Sequence, residues 1–191
     1  EGKKPAEILN ISVADIACGS GIFLEEAFAY LQDYCVQWYI NNGQTDHLIE
    51  TGIDLYKLPL QEKKDILCSC IYGIDIDIHA VEVAKFSLLI KLIEDETAPS
   101  VAEVVPILPD LGDNIQFGNS LVSQTELNGI SSANRQMMEI APFDWSTINN
   151  GCGFDVIIGN PPYVNTEGMH ALLPSAEVEV YKKKYKTSHK Q

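Results

Sequence analysis

Phe154-Asp155-Val156-Ile157-Ile158-Gly159-Asn160-Pro161-Pro162-Tyr163 carries the strongest structural signal in this chain. Phe154 to Ile158 reads as a buried strand, and two consecutive prolines follow it closely. Neither proline has an N–H to give to a ladder, so the strand ends and the chain leaves the sheet at Asn160. In open α/β sheets that carboxyl edge is where ligands bind. An amide, a stiff Pro-Pro turn and an aromatic ring then stand together. The Asn160 side-chain oxygen and the Pro161 carbonyl can accept both hydrogens of a planar exocyclic amine, and Tyr163 can stack on the ring that carries it. The plainer alternative is a strand terminator followed by an interfacial tyrosine. Three other segments bear on the choice.

Val13-Ala14-Asp15-Ile16-Ala17-Cys18-Gly19-Ser20-Gly21-Ile22-Phe23-Leu24 reads as a strand, a glycine turn and the start of a helix. Glycines let backbone approach a ligand, and a helix N-terminus offers unpaired N–H groups. The same pattern also serves an ordinary βα turn. A dinucleotide fold would want a third small residue where Leu24 stands, which lowers that reading. Ile71-Tyr72-Gly73-Ile74-Asp75-Ile76-Asp77 is a strand ending in acids. Asp75 can accept from both ribose hydroxyls of an adenosyl group, while Asp77 can cap the helix that follows. Asn114-Ile115-Gln116-Phe117-Gly118-Asn119-Ser120-Leu121-Val122 ends a third strand at Gly118. There Asn119 could read an adenine edge, although Gly-Asn-Ser alone is more often a turn.

Between these segments the periodicity predicts alternating strands and helices. The first strand is expected over residues 8–16. A helix is expected over 21–40, with Phe23, Ala27, Leu31, Tyr34 and Trp38 on one stripe, and Asn41-Asn42-Gly43 stops it. A polar connector should fill 44–60, a short helix 61–68 and a strand 70–74. A second long helix should run over 78–94 with Val81, Ala84, Leu88 and Leu92 inward. A proline-punctuated loop is expected over 99–112, and 123–153 should be mostly loop or weak helix. Such alternation implies an α/β, Rossmann-like fold: a mostly parallel sheet with helices on both faces.

The chain has 191 residues, enough for one core, and no run reaches the length of a membrane span. Five cysteines lack paired Cys-x-x-Cys spacing, so a zinc site or disulfide framework is not expected and a reducing cytoplasm fits. Cys18 reads as a small packing residue and His79 as a first-turn helix residue. The net charge is −14, but its distribution is uneven. Residues 1–180 carry 8 Lys and Arg against 27 Asp and Glu, whereas residues 181–191 carry five Lys and no acid. Phosphate contacts need cations, so nucleic acid would be gripped mainly by parts outside this stretch. The basic end is either a phosphate contact or a solvated helix end. Because the chain opens on Glu1, it reads as a piece of a longer protein.

Taken in order, Asp15…Gly19-Ser20-Gly21, Gly73-Ile74-Asp75, Gly118-Asn119-Ser120-Leu121 and Asn160-Pro161-Pro162-Tyr163 resemble the amino-group DNA methyltransferases of the gamma arrangement. The longer phrases around Cys18 and Gly159 are similar to one branch, the large type IIG, Eco57I-like restriction-modification enzymes. Ile107-Leu108-Pro109-Asp110-Leu111 and Pro142-Phe143-Asp144-Trp145 resemble the same branch. The resemblance implies S-adenosylmethionine as cofactor, with Asp15, Ala17, Cys18, Gly19 and Gly21 around it and Phe23 packed beside it. It also implies Asp75 on the ribose, Ile76 against the adenine ring and Asn119 facing the adenine, where many relatives carry Asp.

Asn160, Pro161, Pro162 and Tyr163 would then hold a flipped adenine of double-stranded DNA, with N6 preferred to cytosine N4 as the acceptor. No metal and no membrane are implied, and restriction or specificity modules would share the polypeptide. Residues 1–191 would be a partial catalytic domain, lacking the upstream methionine-binding element, the later strands and the target recognition domain. Two rivals remain at this point: methylation of RNA or of a protein glutamine, and a non-catalytic cofactor-binding scaffold.

Overall fold

The computed structural model describes residues 2–102, 104–161 and 173–185. The expected roles of Pro162 and Tyr163, and the last two lysines, lie outside the described residues. In chain order the elements are α1 (Pro5–Ile8), β1 (Val13–Asp15), α2 (Ile22–Asn41), β2 (Ile49–Gly52), β3 (Leu55–Lys57), α3 (Leu60–Cys70) and β4 (Ile71–Asp75). Then come α4 (Ile78–Ile93), α5 (Ala98–Ala102), β5 (Ile115–Phe117), α6 (Ala133–Ile140), β6 (Val156–Ile158) and α7 (Ser175–Lys184).

β5, β4, β1 and β6 lie side by side in that order and are all parallel. This is the expected α/β sheet flanked by helices. Asp15 is level with Gly73 and Ile158, and Asp75 with Phe117, so four strand ends share one carboxyl edge. The chain steps from β1 through β4 to β5 in one direction, then crosses back to place β6 on the other side of β1. That reversal between β1 and β6 is the switch point where such sheets open a crevice.

One face of the sheet, with Val13, Ile71 and Ile115, packs on α2, α3 and α4 in the main core. Gly73 lets α2 come close. A Cβ there would stand 2.7 Å from Leu24 Cδ1 and 3.1 Å from Cys18 Sγ. The other face carries Ala14, Tyr72 and Ile74. Its cover is Phe143, Ile148, Trp145 and Phe154, drawn from the 143–154 segment, in place of the helical layer the alternation suggested. Helices α6 and α7 make a separate cluster with Val122, Leu127 and Ile130.

Several expectations need correction. Residues 8–12 are not strand, because α1 ends at Ile8. Pro5 suits a first helical turn, and Glu7 accepts the Lys4 N–H at 2.8 Å. The connector 44–60 holds a hairpin, β2 against β3, which Lys57 ties to Glu96 just beyond α4 at 3.0 Å; Lys63 of α3 pairs with the same carboxylate at 2.5 Å. Helix α2 buries Leu24, Phe28, Leu31 and Cys35, sharing only Leu31 with the expected stripe. Gly21 sets that rotation. Its φ is +91°, and a Cβ would sit 3.0 Å from Ala84 Cβ, so α2 starts tight against α4. The inward stripe of α4 is as expected.

Phe28 is fully buried, while Phe23 is 47% exposed. Urea unfolding should therefore show a loss of about 3–5 kcal/mol for Phe28→Ala and under about 1 kcal/mol for Phe23→Ala. A larger loss at Phe23 than at Phe28 would place the stripe where the periodicity first put it.

Candidate active site at the carboxyl edge

The turn after β1 is held by acids on two strands. Asp15 Oδ1 accepts the Ala17 N–H at 2.9 Å. Asp75 Oδ2 accepts the Gly19 N–H at 2.7 Å, and its Oδ1 accepts the Asp77 N–H at 2.9 Å. The Cys18 N–H reaches the Ile74 carbonyl at 3.0 Å. Gly19 takes φ +53° and Gly21 φ +91°, so both sit in the region that favours glycine. Asp77 accepts the His79 N–H and caps α4, as its sequence position suggested.

Asp15 differs from Asp75 in one respect. It is 1% exposed, and its Oδ2 has no hydrogen-bond partner among the described residues. Burial raises its pKa and the nearby Asp75 charge adds to this, with the Ala17 N–H opposing. Cys18 is buried beside both acids. Burial and their charges push its thiol up to about 12, so it stays protonated and is no nucleophile.

β6 arrives next to this carboxylate. Gly159 has φ +141°, and a Cβ there would lie 2.5 Å from Asp15 Oδ1. The glycine thus lets the chain pass over Asp15 and deliver Asn160 and Pro161, both exposed, to the same edge. Ile76 and Phe23 are also exposed there, at 51% and 47%. Sequence reasoning overlooked Phe117 and Leu121, exposed apolar residues flanking the third turn. It also overlooked Ser120, whose Oγ donates to the Ile16 carbonyl at 2.7 Å and ties that turn to the first.

Asn119 is placed otherwise than a free adenine reader would be. It is 5% exposed; its Oδ1 accepts the Leu121 N–H at 3.1 Å and its Nδ2 donates to Glu177 Oε1 at 2.7 Å. The expected residues therefore gather at one edge, except that the amide of Asn119 faces α7, and Pro162 and Tyr163 fall outside the described residues.

A family model, Eco57I restriction-modification methylase, matches residues 69–191. The chain belongs to that family. The Eco57I-family match covers β4, α4, β5 and β6, and with them Asp75, Asn119 and Asn160 at or just after the strand ends. Over all 191 residues the chain is 45% identical to the type II restriction enzyme and methyltransferase RM.Eco57I of Escherichia coli, but covers only 18% of it. It is 34% identical over 122 residues to RM.MjaORFECS2P of Methanocaldococcus jannaschii, provisionally named for the same two activities. That match takes in 64% of the chain and 9% of the relative. The chain thus spans under a fifth of each of these two relatives.

Among the described residues no cluster of acids, histidines and cysteines could hold a metal ion, and no helix is long and apolar enough to cross a membrane.

The raised pKa of Asp15 makes a signed prediction. The folded chain holds this proton more tightly than the unfolded one, so ionisation of Asp15 works against folding as pH rises above about 4. Asp15→Asn keeps an acceptor for Ala17 and removes the charge. Melts from pH 4 to 8 should show the stability of the Asn variant, relative to the unaltered chain, climbing with pH. A flat difference would mean that Asp15 is not strained by its charge.

Proposed function

We propose that this chain forms the cofactor-binding and active-site part of a DNA methyltransferase within a restriction-modification protein. The reaction is transfer of a methyl group from S-adenosylmethionine to the N6 amine of an adenine flipped out of the duplex. The supporting observation is the register of β1 and β6, with Gly159 passing over the Asp15 carboxylate. It brings Asn160 beside the turn that Asp75 holds.

The residues present fit the cofactor. After its two backbone bonds Asp75 keeps lone pairs on both oxygens, enough for both ribose hydroxyls. Ile76 offers an apolar plate to an adenine ring. Ala17, Cys18, Gly19 and Gly21 form a turn that backbone groups can present, with Phe23 beside it. Asp15 Oδ2, without a hydrogen-bond partner among the described residues, suits a ligand that is positively charged. When bound, the cofactor supplies an electrophilic methyl group on a cationic sulfur. Asn119 fixes the turn at the adenine side.

The adenine N6 amine is a weak nucleophile because its lone pair is delocalised. The Asn160 oxygen and the Pro161 carbonyl would accept its two N–H bonds and draw the nitrogen toward tetrahedral geometry. Pro162 would stiffen that turn, and Tyr163 would stack on the flipped base. The contribution is positioning plus electrostatic stabilisation, with no strong base required. The acidic body leaves most phosphate contacts to other parts of the polypeptide.

In the full-length protein, Asp75→Ala should weaken S-adenosylmethionine by about 1.5–3 kcal/mol in calorimetry, the range for a charged acceptor. Unchanged affinity would move the ribose contact elsewhere. Asn160→Ala should abolish labelled-methyl transfer to DNA and leave cofactor affinity near normal. Turnover surviving within about tenfold would remove Asn160 from the chemistry, because losing an essential stabilising contact costs more than that. The same assay on RNA and on protein decides against the rival substrates, and transfer to none of the three would leave a scaffold.

A further inference from the structure

Glu177 lies in the first turn of α7 and is only 2% exposed. Its Oε1 accepts two hydrogen bonds, from Asn119 Nδ2 at 2.7 Å and from Tyr181 OH at 2.6 Å. The start of a helix favours a carboxylate, and a buried carboxylate must be met by donors. Asn119 is one of them. Its other amide atom, Oδ1, accepts the Leu121 N–H, so the orientation of the amide is set from both sides. Helix α7 grips the same turn further along. Lys184 Nζ and Tyr185 OH donate to the Leu121 carbonyl at 3.2 and 3.1 Å, and Lys184 pairs with Glu126 at 2.8 Å.

We infer that Glu177 is a positioning residue for the Gly118–Leu121 turn, and that Asn119 and Glu177 are a matched pair in which one partner must donate. The inference rests on the reading of that turn as part of the cofactor site. A carboxylate in place of the Asn119 amide would keep the bond to Leu121 but set a second acidic oxygen against Glu177 Oε1. Two carboxylates at that separation repel unless a proton is trapped between them. The amide of Asn119 is therefore explained by what α7 brings to it. The pair also fastens α7 to the turn after β5, at the same sheet edge where β6 delivers Asn160.

A charge-swap cycle in the full-length protein tests this. S-adenosylmethionine and S-adenosylhomocysteine affinities would be measured by calorimetry, with thermal melting alongside, for the unaltered protein, Asn119→Asp, Glu177→Gln and the double variant. Asn119→Asp should weaken both ligands at least tenfold. The double variant exchanges the two roles: the amide on α7 now donates, and the carboxylate in the turn accepts. It should recover to within about threefold, since the lost donor is restored.

A double variant no better than Asn119→Asp overturns the pairing. Asn119→Asp that melts lower but binds both ligands normally reduces the pair to a packing feature and overturns the positioning role. Unaltered protein that binds neither ligand sinks the cofactor reading itself, and with it the positioning role. The melting temperatures of the four proteins would then decide the pairing alone.

Discussion

Asp75 holds three loops with one short strand end. Its side chain takes the Gly19 N–H and the Asp77 N–H, and its backbone carbonyl takes the Gly118 N–H at 2.8 Å. The turn after β1, the start of α4 and the turn after β5 are therefore referenced to one residue. A carboxylate can do this because it accepts on two oxygens with several lone-pair directions. The glycines follow from it. Gly19 must point its N–H inward at φ +53°, and Gly73, two residues earlier than Asp75, must leave room for Leu24 so that α2 seats close to the sheet. Loss of the carboxylate would leave a backbone N–H without this partner on each of two loops, the half-buried one at Gly19 and the exposed one at Asp77.

Asp15 stands next to this arrangement and departs from the usual rule that buried polar groups are paired, because its Oδ2 has no hydrogen-bond partner among the described residues. Its position is crowded as well, because Gly159 exists at that point only without a Cβ. A fold selected for stability alone would place an apolar side chain here. Local departures from consistency of this kind gather at functional sites, where the strain is offset by the rest of the structure. Here the offset is the core under α2 and α4, where Leu24, Phe28 and Leu88 are fully buried. The acid and the glycine belong together: the missing Cβ at Gly159 is what lets the chain after β6 pass beside Asp15.

Much of this was legible in the sequence because it rests on local rules. Pro161-Pro162 ends a strand wherever it occurs, Asp77 caps a helix by its own side chain, and the stripe of α4 follows the helical period. What escaped is non-local. The rotation of α2 depends on Gly21 touching Ala84, 63 residues away in sequence. The hairpin within 44–60 has strands of only four and three residues, too short to show the alternation that announces a strand, and its anchor Glu96 lies far along the chain. The cover over Ala14, Tyr72 and Ile74 comes from aromatic residues in an irregular segment with no period to read. Asn119 could be seen as a polar residue at a strand end. That its partner would be Glu177, 58 positions later, could not.

The charge of the chain bears on how a polyanion would reach such a site. Of the lysines at the end of α7, Lys183 pairs with Glu179 and Lys184 with Glu126, so the basic cluster is partly neutralised from within. The rest of the chain is strongly acidic. At physiological ionic strength repulsion fades beyond about 8 Å, so it acts mainly on phosphates that come close. An acidic chain that presents an amide, a proline carbonyl and exposed apolar side chains at one edge favours a base over the phosphate backbone that carries it. On the proposed reading this is an advantage: the backbone would be held by other parts of the polypeptide, and only the uncharged base would be drawn down to Asn160.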